Sequence, residues 1–292
     1  MLQVKNIVKL YNKEQGISDV TFSLNKGQIC AVVGHNGSGK STLFKVILGL
    51  ISPDSGEIRT SKDKKRSDLL GYLPENRSVI SDLKTKDLID FIGELKGMTV
   101  ANRVEQMEYW FNELKCKNLG GKKLKQCSKG NQQKIQLICS LIHNPDIIIL
   151  DEPFSGLDLD NTRLFQKILI ELKKQGKCVL LSSHRFEEIE HLCDYLLVLK
   201  NAKVIIQGTI CDIRDTTNHQ TITISNDPYM SYRNEKGINH VTVDGNLTHY
   251  LLSNEKQSIQ LINEIMKERD HRTVKIASLT LHDLLNIDES IN

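Results

Sequence analysis

The run GHNGSGKST, Gly34 to Thr42, lies between the apolar stretch Gln28 to Val33 and a helix-like stretch from Thr42 to Leu50. Its spacing, Gly34-x4-Gly39-Lys40-Ser41, is that of a loop whose consecutive N–H groups close around one phosphate. Glycine is needed there because a β-carbon would forbid the backbone angles and the close approach of an anion, and the helix that follows adds its partial positive charge. Gly34, His35, Asn36, Gly37, Ser38 and Gly39 are therefore expected to form the cradle. Lys40 would reach the β- and γ-phosphates of a nucleotide, with the Ser41 hydroxyl on Mg2+ and Thr42 in the helix. A dinucleotide loop is disfavoured, since in Gly37-Ser38-Gly39-Lys40-Ser41-Thr42 the place of a third glycine is taken by Thr42.

Two further runs, Ile147 to Leu150 and Cys178 to Leu181, are as apolar as Ile29 to Val33 and end as abruptly at polar residues. Such strands predict a mostly parallel sheet buried on both faces, with its ligand site beyond the carboxyl ends. The first run delivers Asp151 and Glu152, which leave a strand in different directions and so are expected to have different roles. His184 closes the other. Between the first two strands, LKTKDLIDFIGELKG and VEQMEYWFNEL carry apolar residues at helical spacing, which predicts a helical subdomain over about residues 78–143. Composition changes again near Asp215. An alternating TITIS, a hairpin turn at Asp244-Gly245, a helix from Ser258 to Lys267, the strand-like TVKIAS and a closing helix SLTLHDLLNI predict a small α+β extension over residues 215–292.

Composition narrows the function classes. A formal charge of +3 is too small to argue for nucleic acid, and the basic clusters Lys62 to Arg66 and Lys122 to Lys125 lack interleaved aromatics, so no nucleic-acid partner is expected. Seven cysteines, an odd number without a C-x-x-C pair, fit a reducing compartment rather than a disulfide or metal framework. No apolar run approaches the length of a membrane span, so any work at a membrane needs another chain as anchor.

The stretch QCSKGNQQKIQL discriminates among the proteins that use such a loop. Ser128 is a natural N-cap, Gly130 permits close backbone approach, and the helix beyond directs free N–H groups outward, which makes a second anion site. Cys127-Ser128-Lys129-Gly130-Asn131 resembles the Leu-Ser-Gly-Gly-Gln signature of the ATP-binding subunits of ABC transporters. PDIIILDEP resembles the Walker B strand of that family, Ser155-Gly156-Leu157-Asp158 its D-loop and LLSSH its switch-histidine region, all in family order over about residues 1–212. The resemblance implies an α/β P-loop NTPase of the ABC ATPase fold over residues 1–214: a mostly parallel sheet core, an N-terminal antiparallel β subdomain and the inserted helical subdomain.

It also implies roles. ATP and Mg2+ would be the ligands, with Tyr11 stacking on adenine and Ser41, Glu75 and Asp151 at the metal. Glu152 would polarise the attacking water, and His184 would bond the γ-phosphate or orient Glu152 and water. Ser128, Lys129, Gly130 and Asn131 would contact ATP held by a partner subunit, because two such domains pair head to tail; Ser155 and Asp158 would communicate across that seam. A plain helix-start acid remains open for Asp158, and a core aromatic for Tyr11. The partners implied are a second ABC ATPase subunit, identical or not, and integral membrane permease subunits that hold the chain at the cytoplasmic face.

Some residues depart from the family pattern. Glu75, in GYLPEN, stands where many members carry a glutamine, and Cys127, Lys129 and Asn131 replace Leu, Gly and Gln of the signature. GYLPEN, SKGNQQK and the ending SLTLHDLL together resemble the bacterial ABC-2 type export branch. Two rivals stand beside the transport reading. A soluble ABC-type ATPase acting on ribosomes or DNA would commonly carry two ATPase halves or a long coiled-coil insertion, and the sequence has neither. A weakly hydrolysing regulatory subunit is kept open by Glu75 and the variant signature.

Overall fold

The computed structural model describes residues 2–12, 15–60, 66–75, 82–183, 189–217, 220–225, 238–252, 259–263, 265 and 273–278. The chain divides into two compact units, Met1–Gly208 and Thr209–Asn292. The division falls ahead of a helix that begins at Ile210, rather than after residue 214 where the composition changes.

The first unit opens with β1 (Leu2–Leu10) and β2 (Gly16–Leu24), an antiparallel pair in which Val4 faces Phe22 and Ile7 faces Val20. The buried strand β3 (Ile29–Val33) leads through the glycine loop to α1 (Lys40–Leu48), whose Leu43, Phe44, Val46 and Ile47 join the main core beneath the sheet. Burying each such side chain stabilises by roughly 1.5–3 kcal/mol. The helix starts and stops two residues earlier than the Thr42 to Leu50 expected. Gly49 takes a left-handed conformation (φ 75°) and returns its N–H to the carbonyl of Val46 at 3.0 Å, which ends the helix before Leu50.

Strand β4 (Ser55–Thr60) pairs antiparallel with β1, so the expected N-terminal antiparallel element is β2, β1 and β4. A short α2 (Arg66–Leu69) precedes β5 (Leu70–Leu73). Then come α3 (Thr85–Leu95), α4 (Val100–Glu113) and α5 (Lys129–Leu141), the helices predicted between the first two apolar strands. α4 is capped by Thr99, whose hydroxyl accepts the N–H of Asn102 at 3.3 Å. β6 (Ile147–Leu150), α6 (Leu159–Lys174), β7 (Cys178–Ser183), β8 (Tyr195–Lys200) and β9 (Lys203–Thr209) complete the unit. Strand order in the nine-stranded sheet is β4-β1-β2-β9-β8-β3-β7-β6-β5, and β8, β3, β7, β6 and β5 run parallel to one another. β3, β6 and β7 are buried along their whole length, as the apolar runs Ile29 to Val33, Ile147 to Leu150 and Cys178 to Leu181 predict. β7 runs two residues past the expected Leu181, because Ser182 and Ser183 keep register with Val32 and Val33 of β3.

The second unit begins with α7 (Ile210–Thr217) and holds an antiparallel sheet of β10 (Gln220–Ser225), β11 (Ile238–Asp244), β12 (Leu247–Leu252) and β13 (Val274–Ser278) in the order β11-β12-β10-β13. The alternation read in TITIS places Ile222 and Ile224 on one face. There they pack with Tyr250 and Leu252 and with Leu261 and Ile265 of the expected helix. Asp244 pairs with Leu247 across the predicted turn, where Gly245 is left-handed (φ 57°). Residues 279–287 of the expected closing helix lie outside the described residues.

Candidate functional site

The carboxyl ends of β3 and β6 meet at a cleft of about 370 Å3 lined by Tyr11, Gln15, Gly16, Asn36, Gly37, Gly39, Lys40, Ser41, Thr42, Glu75, Asp151 and Glu152. The glycine loop folds as its spacing predicts. Gly39 is left-handed at φ 112° and sits against the chain entering β2: a β-carbon there would lie 2.1 Å from the Gly16 carbonyl oxygen. The chain then turns into α1, so the helix starts at Lys40 and its first N–H groups open toward the cleft.

Lys40 is buried, with its Nζ donating to the carbonyl oxygens of Gly34 at 2.6 Å and His35 at 3.1 Å. Burial lowers its pKa, and the carboxylates of Glu152, Asp151 and Glu75 oppose that shift. The ammonium therefore belongs to a local field of three acids, and a polyanion entering the cleft would compete with them for it. Tyr72, beside this group, is pushed up to about 12 by burial first and by Asp151 and Glu75 second.

Asp151 and Glu152 do separate, as adjacent residues at a strand end should. Asp151 points into the protein: its Oδ2 accepts the Ser41 hydroxyl at 3.0 Å and its Oδ1 the Ser182 hydroxyl at 2.6 Å. Glu152 leaves the strand with a left-handed backbone (φ 51°), its N–H donating to the Ser182 oxygen at 2.8 Å. The turn that follows is tied to α5, because Gln133 Nε2 donates to the Pro153 carbonyl at 3.2 Å.

The chemistry of these donors suits a hydrated Mg2+ bound together with phosphate. A hydroxyl and a carboxylate already share a hydrogen bond, and hard oxygen ligands few in number are what Mg2+ takes beside substrate oxygens and water. Among the described residues no three His, Cys, Asp or Glu side chains form a metal cage on their own. The buried hydroxyl of Ser38 has no hydrogen-bond partner among the described residues, and it sits inside the loop meant for an anion.

Other expected residues fall elsewhere. Tyr11, at 59% exposed, lines the cleft at its edge, which removes the core-aromatic alternative. Ser128 caps α5, accepting the Asn131 N–H at 3.4 Å, yet none of Ser128, Lys129, Gly130 and Asn131 lines the cleft. Asp158 caps α6 through the Asn161 N–H at 2.9 Å, so the helix-start reading holds for it in the single chain. Ser155 donates its N–H to the Glu152 carbonyl at 3.2 Å. His184 lies outside the described residues. Sequence reasoning missed Gln15 and Gly16, which carry no signal of their own, and Ser182, whose hydroxyl at the end of an apolar strand was a signal.

This combination of strand, glycine loop, helix and strand-end acid defines a nucleotide-binding protein of the P-loop class. The family pattern described as ABC transporter matches residues 17–155. The chain is 43% identical over 212 residues to the ABC transporter ATP-binding protein MJ1023 of Methanocaldococcus jannaschii, covering 73% of this chain and 79% of that one. It is 32% identical over 290 residues to YhaQ of Bacillus subtilis, covering 97% of each, and 30% identical over 262 residues to the linearmycin resistance ATP-binding protein LnrL of the same organism, covering 83% and 82%. A solved ATP-binding subunit of an ABC transporter superposes with a TM-score of 0.69 at 29% identity, covering 74% of this chain and 92% of that one. The chain belongs to the ATP-binding proteins of ABC transporters. Among the described residues no helix is long and apolar enough to cross a membrane.

Proposed function

We propose that the chain hydrolyses ATP as one half of a head-to-tail pair and so drives export through separate membrane subunits, working from the cytoplasmic face. The observation that carries the reading is the Ser41–Asp151 hydrogen bond of 3.0 Å, which joins the phosphate loop to a strand end bearing Glu152 in the same cleft. Lys40 and the loop N–H groups hold the β- and γ-phosphates, and Tyr11 offers its ring to the base at the cleft edge. Ser41, Asp151 and Glu75 supply oxygens to Mg2+, which when bound screens the phosphate charge. Glu152 accepts a proton at its carboxylate from the attacking water. His184 bonds the γ-phosphate or orients Glu152 and the water.

Pairing is supported by the signature residues. Ser128 to Asn131 form an N-terminal helix end outside the chain's own cleft, so a partner's ATP is the anion they fit. An export role is supported by the likeness to the linearmycin resistance protein, and a membrane partner by the exposed apolar side chains Phe91, Leu95, Val100 and Val104 on α3 and α4. The test is Glu152→Gln. The variant should bind Mg-ATP as wild type does, turn it over at least about 100-fold more slowly, and sediment as a dimer only with ATP. Wild-type turnover, or a monomer at saturating ATP, would overturn the reading.

A further inference from the structure

Strand β7 brings a hydroxyl, Ser182, to the site beside an apolar run, at a position with no solvent exposure. A buried hydroxyl must find partners, and Ser182 uses its donor on Asp151 Oδ1 at 2.6 Å and its acceptor on the Glu152 N–H at 2.8 Å. Asp151 Oδ2 is held in turn by Ser41 at 3.0 Å. One oxygen on the neighbouring strand therefore fixes both the plane of the Asp151 carboxylate and the peptide from which the Glu152 side chain springs.

That second task matters because Glu152 has a φ of 51°, a region that a side chain with a β-carbon enters only when its surroundings hold it there. A flip of the Asp151–Glu152 peptide, the local change that returns φ to a negative value without moving the chain on either side, would turn the N–H away from Ser182 and break that bond. The register of β7 against β3, Ser182 opposite Val32, fixes the backbone that carries the hydroxyl.

We infer that Ser182 is a positioning residue for hydrolysis: it holds Glu152 in its left-handed conformation and Asp151 in the plane that receives Ser41, so that it governs kcat rather than ATP affinity. This rests on the hydrolysis reading of the cleft. The geometry makes no covalent demand on Ser182, which stays a hydrogen-bonded alcohol throughout.

The experiment measures steady-state ATP turnover of the full chain with its membrane partners for wild type, Ser182→Ala, Ser182→Thr and Ser182→Val. Ser182→Ala should lower kcat on the order of 10- to 100-fold, as loss of an outer partner of a catalytic group does. KM for ATP should stay within about threefold, since Lys40 and the loop N–H groups that hold the phosphates are untouched. Threonine and valine share one branched shape and both suit a buried strand, so they separate the hydroxyl from packing. Ser182→Thr should keep kcat within about threefold of wild type and Ser182→Val should lose it as alanine does. A purely structural role would instead give equal kcat for the threonine and valine variants, or a change in KM alone, and either result overturns the proposal. Full activity of Ser182→Ala overturns it too. A wild-type chain that does not turn over ATP overturns the hydrolysis reading and this role with it, whereas normal wild-type turnover beside an unimpaired Ser182→Val overturns only the role of Ser182.

Discussion

Two glycines of one loop give a paired test of how the cradle is built. At Gly39 the backbone is left-handed (φ 112°), and an added β-carbon would fall 2.1 Å from the Gly16 carbonyl oxygen and 2.8 Å from Ile17 Cγ2. At Gly37 the backbone is also left-handed (φ 85°), but an added β-carbon would meet nothing within 4 Å. Gly37→Ala therefore carries conformational strain of about 1–2 kcal/mol, partly offset by the smaller entropy of its unfolded chain, for a net cost of about 1 kcal/mol. Gly39→Ala carries the same strain and must also push the Gly16 carbonyl back by about 0.9 Å, an overpacking cost of about 1–3 kcal/mol, so the total is about 3 kcal/mol. For a unit of this size the melting point should fall by about 2–4 °C for Gly37→Ala and about 6–12 °C for Gly39→Ala. Urea or thermal unfolding followed by tryptophan emission reads this directly, because the chain's one tryptophan, Trp110, is buried in the first unit. ATP titration should rank the two in the same order, since both glycines line the cleft but only Gly39→Ala must displace further cleft backbone, at Gly16. Equal destabilisation by the two alanines would refute the claim that contact with the β2 entrance, and not backbone angle alone, demands glycine at position 39.

Two further outcomes concern stability. His143 is pushed down to about 4 by burial, with the Lys96 charge adding to the effect, while its Nε2 bonds the Leu70 carbonyl at 3.0 Å. Its folded pKa lies below the ordinary value near 6.5, so the unfolded chain binds the extra proton and stability falls as pH drops from about 6.5 toward 4. Between pH 7 and pH 5 the wild type should lose about 1–2 kcal/mol more than His143→Gln after allowance for solvent screening, as urea midpoints at the two pH values would read; parallel slopes would remove His143 from the account. Asp158→Ala should cost about 1 kcal/mol in the nucleotide-free chain through loss of the α6 cap, while Asp158→Asn, which can accept the same N–H, should cost less than half of that in the same unfolding assay.

What could be read from the sequence was what is local. The glycine loop declares itself because its angles and its anion are set within nine residues, and the strands Ile29 to Val33 and Ile147 to Leu150 because burial on both faces leaves no polar position. Ser128 as a cap follows from one side chain and the N–H three residues on. The end of α1 was misjudged because apolar character continues through Leu50, and only the left-handed Gly49 shows where the helix stops. Pairings between distant segments carried no local sign. Ser41 and Asp151 are 110 residues apart, and the packing of Gly16 against Gly39 depends on where β2 enters relative to the loop. Ser182 shows the same limit, since its hydroxyl is visible in LLSSH but its two partners are supplied by β6.

Three departures from local rules meet around the glycine loop and the end of β6. Glu152 is left-handed without being glycine, Lys40 is a buried cation, and Ser38 holds a buried hydroxyl with no partner among the described residues. Each would cost stability in an ordinary core, and each is tolerable if the place is filled by a polyanion that takes the lysine and the hydroxyl and is attacked beside the glutamate. Gly130 departs in the opposite sense. A β-carbon there would meet Asn161 Nδ2 and Leu157 Cδ2 at 3.6 Å, ordinary contact, so the chain's own packing does not call for glycine. At the start of a capped helix, with its N–H groups outside the cleft, a missing side chain leaves room for something that is not part of this chain. A nucleotide held by a second subunit has the charge for the helix end and the bulk for the gap. On that reading the single chain carries one phosphate site that is complete up to its open side and a second that is only the lid of another's.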